Sequence, residues 1–163
     1  MREEMMPTYA PPEHMVVDYG KGSYLFTQNG KQYLDFVSGI AVNTFGHANA
    51  ELAQVLKDQA DKLWHTSNMF RIPQAEGLAK LLANNSFGDR VFFANSGAEA
   101  VEAAIKTARF YHHSKGHPEK KRIIGMHSAF HGRTIASVAA AGNPAHMTGF
   151  FTGDLECDHV PGE

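Results

Sequence analysis

The chain has 163 residues, of which 43% are hydrophobic and 20% charged, and its formal net charge is -2 at pH 7. These values are typical of one globular domain with a sizeable core, and nothing in them suggests disorder. The lysines and arginines are dispersed, which gives no electrostatic reason to expect a nucleic-acid or anionic-membrane partner. No apolar run approaches the roughly 20 residues that a membrane span needs.

Cysteine content and the N-terminal composition indicate the compartment. Cys157 is the single cysteine, so the sequence excludes an intrachain disulfide and a thiolate metal cluster. Residues 1–14 contain several prolines and lack a basic segment followed by an apolar stretch. They resemble a loosely held leader, not a secretory signal. We therefore expect a cytoplasmic protein.

The N-terminal segment, residues 1–47, is predicted to contain a β-hairpin. Residues 24–26 and 33–36 are rich in β-formers and flank Gln28-Asn29-Gly30-Lys31. Asn-Gly between such runs is the strongest short-range hairpin signal.

Two helices follow at the start of the larger region, residues 48–163. Asn49 can cap the first helix, and Pro73 suits the first turn of the second. The helical spacing predicts that the first helix buries Leu52, Val55, Leu56 and Leu63, and that the second carries Leu78, Leu81 and Leu82.

The rest of the chain alternates between strands and helices, which predicts an α/β fold with a parallel sheet. We expect a strand at residues 91–94, a helix from Gly97 to Arg109, a strand at 122–126, a helix at 134–141 and a strand at 158–161. Such a sheet would leave bare edges. The sequence therefore predicts a truncated large domain.

Residues 95–98 follow the first of these strands, and Ser96, Gly97 and Ala98 begin the next helix. A glycine turn at a helix start offers unpaired N–H groups and the positive end of the helix dipole to a phosphate. Ser96 and Glu99 also have the spacing of a capping box, which can satisfy these donors without a ligand. The residues favour the two interpretations about equally.

Residues 127–133 follow the second strand and would lie at the same sheet edge. There Phe130 could stack on a flat heteroaromatic ligand, and Arg133 could bind a carboxylate. Core packing and a surface salt bridge are the structural alternatives, and spacing alone favours them. His127 and His131 stand four apart, but nothing completes a metal ligand set, so we expect no metal site. We expect His112, His113 and His117 to lie at the solvent-exposed C-terminal end of a helix.

Several sequence blocks together resemble the N-terminal part of the class III pyridoxal-phosphate aminotransferases. Asn-Ser-Gly-x-Glu-Ala is specific to the class, and two other blocks indicate its acetylornithine branch. The blocks are FFANSGAEA at 92–100, FHGRT at 130–134, YLDFVSGIAVN at 33–43 and LWHTSN at 63–68.

The resemblance implies a fold type I large domain and assigns roles to the candidate residues. Ser96, Gly97 and Ala98 would hold the phosphate of pyridoxal 5'-phosphate, Phe130 would cover a face of its ring, and Arg133 would bind the substrate carboxylate. Many relatives have Thr at the position of Ala98, so phosphate binding here would depend more on the main chain. A homodimer with shared active sites is implied as well.

The implied reaction moves an amino group from a terminal amine, N-acetylornithine or a similar donor, to 2-oxoglutarate in arginine biosynthesis. A 4-aminobutyrate or ornithine aminotransferase is the alternative within the class. No lysine of this chain lies in the motif of the cofactor-binding lysine, so we assign no catalytic residue and expect these residues alone to be inactive. A noncatalytic anion- or partner-binding chain is the alternative from another class. A P-loop is disfavoured because G-x-x-x-x-G-K-[ST] is missing.

Overall fold

The computed structural model describes residues 4–150 and 155–161. The chain divides into two compact units, Met1–Arg71 and Ile72–Glu163. The boundary expected between residues 47 and 48 stays a prediction.

The first unit contains a three-stranded antiparallel sheet in the order β1-β2-β3. The Asn-Gly turn joins β2 to β3, and the Thr27 amide donates to the Lys31 carbonyl across it, with an N···O distance of 3.0 Å. The predicted hairpin is therefore confirmed. Its strands are β1 (Val17–Lys21), β2 (Tyr24–Thr27) and β3 (Gln32–Leu34).

A left-handed turn, α1 (Ser38–Ala41), follows the sheet. All of its residues have φ between 48° and 63°, a region that residues other than glycine rarely adopt. The next helix, α2 (Ala50–Ala60), begins as predicted, because the Asn49 side chain accepts a hydrogen bond from the Leu52 amide at 3.1 Å.

The predicted burial of the α2 region is wrong. Leu52, Val55 and Leu56 are 49%, 63% and 71% exposed, and Leu63, which lies beyond the helix end, is 47% exposed. The helical spacing places the three α2 side chains on one face, but a face is buried only where another element covers it. No described element of the first unit does so.

The second unit has α/β architecture, which confirms the predicted fold class. β4 and β5 pair in parallel, with Ile123 opposite Cys157 and Met126 opposite Val160. None of the described helices is long and apolar enough to span a bilayer. The elements are α3 (Pro73–Asn84), α4 (Gly97–Ser114), β4 (Ile123–Met126), α5 (Ile135–Ala141), α6 (Pro144–Met147) and β5 (Cys157–Val160).

The strand predicted at residues 91–94 is wrong, because these residues lead into α4 without joining a sheet. Val91, Phe92 and Phe93 have strand propensity, but a strand also needs a neighbour that completes its hydrogen bonds. The described sheet of this unit contains β4 and β5, which pair with each other.

The described core of the second unit lies along α5. Val138 and Ala139 to Ala141 are 2–7% exposed, and Ile105 of α4 is 8% exposed. The small residues let α5 approach β4 closely, since a side chain at Gly125 would collide with the carbonyl of Ala140. This packing fixes α5, and with it the loop from β4 to α5, against the sheet.

Candidate functional site

The start of α4 is held by a side-chain cap. Ser96 is the N-cap residue in extended conformation, and its Oγ accepts a hydrogen bond from the Glu99 amide at 3.2 Å. The Glu99 carboxylate in turn accepts from the amide of Asn95 at 2.7 Å. Ser96 and Glu99 therefore form the capping box that one of the two interpretations predicted.

The cap does not use the donors that a phosphate would need. Among the described residues, no acceptor contacts the amides of Gly97 and Ala98, which are the first two residues after the N-cap. A side chain built at Gly97 would meet nothing within 4 Å. The two interpretations of this turn are therefore compatible: the cap orders the helix start, and two amides and an open space remain for an anion.

The loop from β4 to α5 lies against this helix start. Gly132 has φ +116°, and a Cβ added there would lie 2.6 Å from the Cβ of Ala98 and 3.0 Å from the Oγ of Ser137. Only glycine permits this approach. The structure thus brings Phe130-His131-Gly132-Arg133 to the first turn of α4, as predicted, although residues 91–94 form no strand and the two segments share no sheet edge.

Phe130 and Arg133 lie together and face solvent. The guanidinium carbon of Arg133 is 5.4 Å from the centroid of the Phe130 ring, within cation–π range, and Phe130 is 68% exposed. Within residues 4–150 and 155–161, no carboxylate pairs with Arg133. The structural alternatives, a buried Phe130 and a surface salt bridge of Arg133, are therefore not the arrangement seen here.

A hydrogen-bonded cluster beside this loop was not predicted from the sequence. The Thr134 hydroxyl donates to the Glu102 carboxylate at 2.5 Å, and Ser137, which is fully buried, donates to the Thr134 carbonyl at 3.0 Å. The spacing of Glu102 and Lys106 by itself predicts an i,i+4 pair on a solvated face of α4. The only signal for the observed contact was the threonine at the end of the Phe-His-Gly-Arg-Thr block.

The histidines form no metal site in the described residues, where no group of three or more His, Cys, Asp or Glu side chains could hold an ion. The ring of His127 lies 5.4 Å from that of His159, whose Nε2 donates to the Ala139 carbonyl at 2.8 Å. His112 and His113 occupy the last turn of α4, as expected for a helix end.

In the first unit, Asp35 and His47 form a second unpredicted polar cluster. The Asp35 carboxylate accepts from the amides of Val37 and Ser38 at 2.9 and 3.0 Å and lies 2.7 Å from His47 Nε2. The His47 hydrogen bond, followed by the Ser38 amide, lowers the pKa of Asp35 below its ordinary 3.8. This cluster fixes the entry to α1.

Comparison with known proteins gives curated relatives that are acetylornithine aminotransferases. The relative from Agrobacterium fabrum (strain C58 / ATCC 33970) is 54% identical over 87% of this chain and 36% of its own length. Acetylornithine aminotransferase 1 of Bradyrhizobium diazoefficiens is 51% identical over 96% of this chain and 38% of its own length. The chain thus spans little more than a third of these relatives.

Solved transaminase structures share the fold. An (S)-enantioselective omega-transaminase from Thermomicrobium roseum superposes with a TM-score of 0.86 and 32% identity, over 91% of this chain and 34% of that one. A PLP-bound amine transaminase from an uncultivated Pseudomonas species gives a TM-score of 0.84 at 25% identity, over 96% of this chain and 38% of that one.

The family is shown by the extent of the sequence match. The model of the family described as Aminotransferase class-III matches residues 5–160, which include both motifs that meet at the start of α4. The cofactor that this family implies is pyridoxal phosphate. The chain belongs to the class III aminotransferases.

Proposed function

We propose that this chain forms the phosphate- and carboxylate-binding part of an aminotransferase that moves an amino group from an N-acetylornithine-type donor to 2-oxoglutarate, in arginine biosynthesis. The names of the relatives support the donor, and the branch-specific blocks at 33–43 and 63–68 agree with them. A relative from Photorhabdus laumondii is named as an acetylornithine/succinyldiaminopimelate aminotransferase. Both names denote an N-acylated diamino acid with a second, free amino group.

The observation that carries the proposal is the pair of unpartnered amides at Gly97 and Ala98 beside an open space. Donors of this kind at the positive end of an 18-residue helix suit the doubly charged phosphate of pyridoxal phosphate. Ser96 holds these amides in place through the cap. Because residue 98 is alanine, no hydroxyl joins them, and phosphate binding rests on the main chain.

The loop residues have complementary roles in the proposal. Bound pyridoxal phosphate supplies the electron sink of the reaction. Phe130 orients its ring by contact with one face, and Arg133 binds the substrate carboxylate through its planar fork. The partners are the amino donor, 2-oxoglutarate and a second copy of the complete protein, and the compartment is the cytoplasm.

Replacing Gly97 with Val tests the phosphate site. A side chain at Gly97 has room in the chain itself, so the variant folds, but it blocks approach of the phosphate to the amides. Hydrogen bonds to a charged group contribute about 1.5–3 kcal/mol each, so losing two lowers cofactor affinity by roughly 100-fold or more. The measurement is pyridoxal phosphate affinity in the protein encoded by the complete gene.

Gly77→Val in α3 is the matched control, since Gly77 is also a helix glycine with nothing within 4 Å of an added Cβ. Its cofactor affinity should equal that of the unmodified protein. Normal cofactor occupancy in Gly97→Val would refute the phosphate assignment.

The donor is tested separately, by steady-state assays of the same protein with N-acetylornithine, ornithine and 4-aminobutyrate at equal concentrations. The proposal requires the highest kcat/KM for N-acetylornithine. A preference for either of the others would replace it with the alternative aminotransferase.

A further inference from the structure

The geometry points to Thr134 and Glu102 as positioning residues that hold Arg133 in place for the substrate carboxylate. This inference rests on the carboxylate-binding role that we propose for Arg133.

Thr134 is the N-cap residue of α5, yet its side chain makes no capping hydrogen bond. An N-cap threonine ordinarily accepts a hydrogen bond from an amide of the first helical turn. Here its hydroxyl donates to the Glu102 carboxylate, 2.5 Å away on α4, and its Oγ1 also lies 2.9 Å from the buried Oγ of Ser137. The Thr134 hydroxyl therefore connects α5 to α4 and caps no amide of its own helix.

Glu102 is a fixed anchor for this contact. It lies on the first turns of the 18-residue helix α4, and it is half-buried. Within the described part of the chain, its carboxylate forms no ion pair. The hydrogen bond from Thr134 is charge-assisted, which makes it stronger than a bond between neutral groups.

The loop is held on both sides of Arg133. Gly132 packs against Ala98, and Thr134 bonds to Glu102, which is four residues further along α4. Residues at i and i+4 are neighbours on one helix face, about 5–6 Å apart between their Cβ atoms. The backbone of residues 132–134 therefore follows this face, and the exposed side chain of Arg133 extends over the Phe130 ring.

This arrangement separates two functions of α4. The amides of its first turn are set by the Ser96 cap, whereas the direction of Arg133 is set one turn later by Glu102. Loss of the Thr134–Glu102 bond should therefore weaken carboxylate binding without weakening phosphate binding.

Thr134→Val removes the hydroxyl and keeps the shape, and Thr134→Ser keeps the hydroxyl. Glu102→Ala removes the acceptor from the other side. Ser137→Ala is the structural control, because it deletes the Ser137 contacts to the carbonyl and the Oγ1 of Thr134 and leaves the Thr134–Glu102 pair in place. Arg133→Lys reports on the carboxylate site itself.

All variants are made in the protein encoded by the complete gene, loaded with pyridoxal phosphate. Calorimetric titration with glutarate measures carboxylate affinity, because glutarate has no keto or amino group that could react. Limited trypsin digestion of the native protein, read by mass spectrometry, measures how readily the Arg133–Thr134 bond is exposed. Cofactor affinity is measured in parallel.

Thr134→Val and Glu102→Ala are each expected to weaken glutarate binding roughly tenfold, and the double variant by no more than either alone. Both should speed cleavage after Arg133 and leave cofactor affinity unchanged. Thr134→Ser should restore affinity and slow cleavage, and Ser137→Ala should lower thermal stability only.

Glutarate affinity that falls in Arg133→Lys but not in Thr134→Val or Glu102→Ala would overturn this inference and leave the proposed function intact. Affinity that is unchanged in Arg133→Lys would remove the carboxylate role of Arg133, and the inference with it. An equal loss in Ser137→Ala and Thr134→Val would reduce the cluster to a structural role.

Discussion

Two polar clusters, one in each unit, differ in how completely their groups are partnered. In the first unit, the Asp35 carboxylate is only 6% exposed and accepts from two amides and from His47. In the second unit, the amides of Gly97 and Ala98 have no acceptor within the described residues. The Asp35 carboxylate has hydrogen-bond partners for both of its oxygens, whereas two amides at the start of α4 have none among the described residues.

We infer from this difference that the Asp35 cluster is structural, and that the start of α4 is the proposed binding site. Unpaired polar groups are costly when they are buried and useful when they face a ligand. The Asp35 cluster uses its bonds to hold the left-handed turn α1. At α4, Glu99 and Ser96 satisfy the flanking donors, and the two central amides remain free for an anion.

The largest effect is expected for Gly132→Ala, which would separate the loop from α4. The added Cβ would collide with Ala98 and would sit at φ +116°, so the variant should lose about 2–4 kcal/mol of stability and most of its cofactor affinity. Thermal unfolding and pyridoxal phosphate titration measure the two losses.

Gly116→Ala is the control, because Gly116 also has positive φ but faces open space. It should lose about 1 kcal/mol and no cofactor affinity. Equal behaviour of the two variants would show that the contact with Ala98 does not support the site.

Arg133→Lys should have the next largest effect, confined to the substrate. Lysine keeps the charge and loses the bidentate fork, so KM for 2-oxoglutarate should rise roughly tenfold. Cofactor affinity should not change, and a parallel loss of cofactor would show that Arg133 acts on the phosphate site instead.

The stability that the Asp35–His47 cluster provides should decrease in acid. Because the folded pKa of Asp35 is lowered, chiefly by the hydrogen bond from His47, its stabilisation is present above the ordinary value of 3.8. It is lost as the pH falls through the folded pKa. Asp35→Asn should therefore reduce the drop in Tm between about pH 6 and about pH 3.

Asp61→Asn, at the exposed C-cap of α2, serves as the control for a general charge effect. An identical pH dependence of Tm in both variants would show that the Asp35 cluster contributes nothing to stability.

The smallest effect on cofactor affinity is expected from an added hydrogen-bond donor beside the unpaired amides of Gly97 and Ala98. Ala98→Thr adds a hydroxyl beside the free amides, and a net hydrogen bond of about 0.5–1.5 kcal/mol should tighten cofactor binding by roughly threefold to tenfold. Ala98→Val has the same shape without the hydroxyl, so the difference between the two variants isolates the donor. If they bind the cofactor equally, the added group does not reach the phosphate.

Local signals in the sequence predicted the local structure well. The Asn-Gly turn, the Asn49 and Ser96 caps and the first-turn proline at Pro73 all form as expected. Each depends on residues a few positions apart, whose interactions are fixed by short-range geometry. The parallel pairing of β4 with β5 was also predicted, from the alternation of strands and helices.

Predictions that needed a distant partner were less successful. Strand propensity at Phe92 and Phe93 did not produce a strand, and the apolar face of α2 is not buried, because each requires a second surface. The contact between Thr134 and Glu102 spans 32 residues of sequence and has no periodic signal. Nothing near Asp35 in the sequence indicated His47 as its partner.

The sequence by itself determined the family, the helix start that offers Gly97 and Ala98, and the presence of Phe130 and Arg133 after β4. It could do so because motifs and caps involve residues that are consecutive or only a few positions apart in the sequence. Only the tertiary structure decided which amides stay unpaired and that Gly132 packs on Ala98. It also decided that Glu102 holds Thr134, since hydrogen bonds and close contacts depend on distances that folding sets between separate elements.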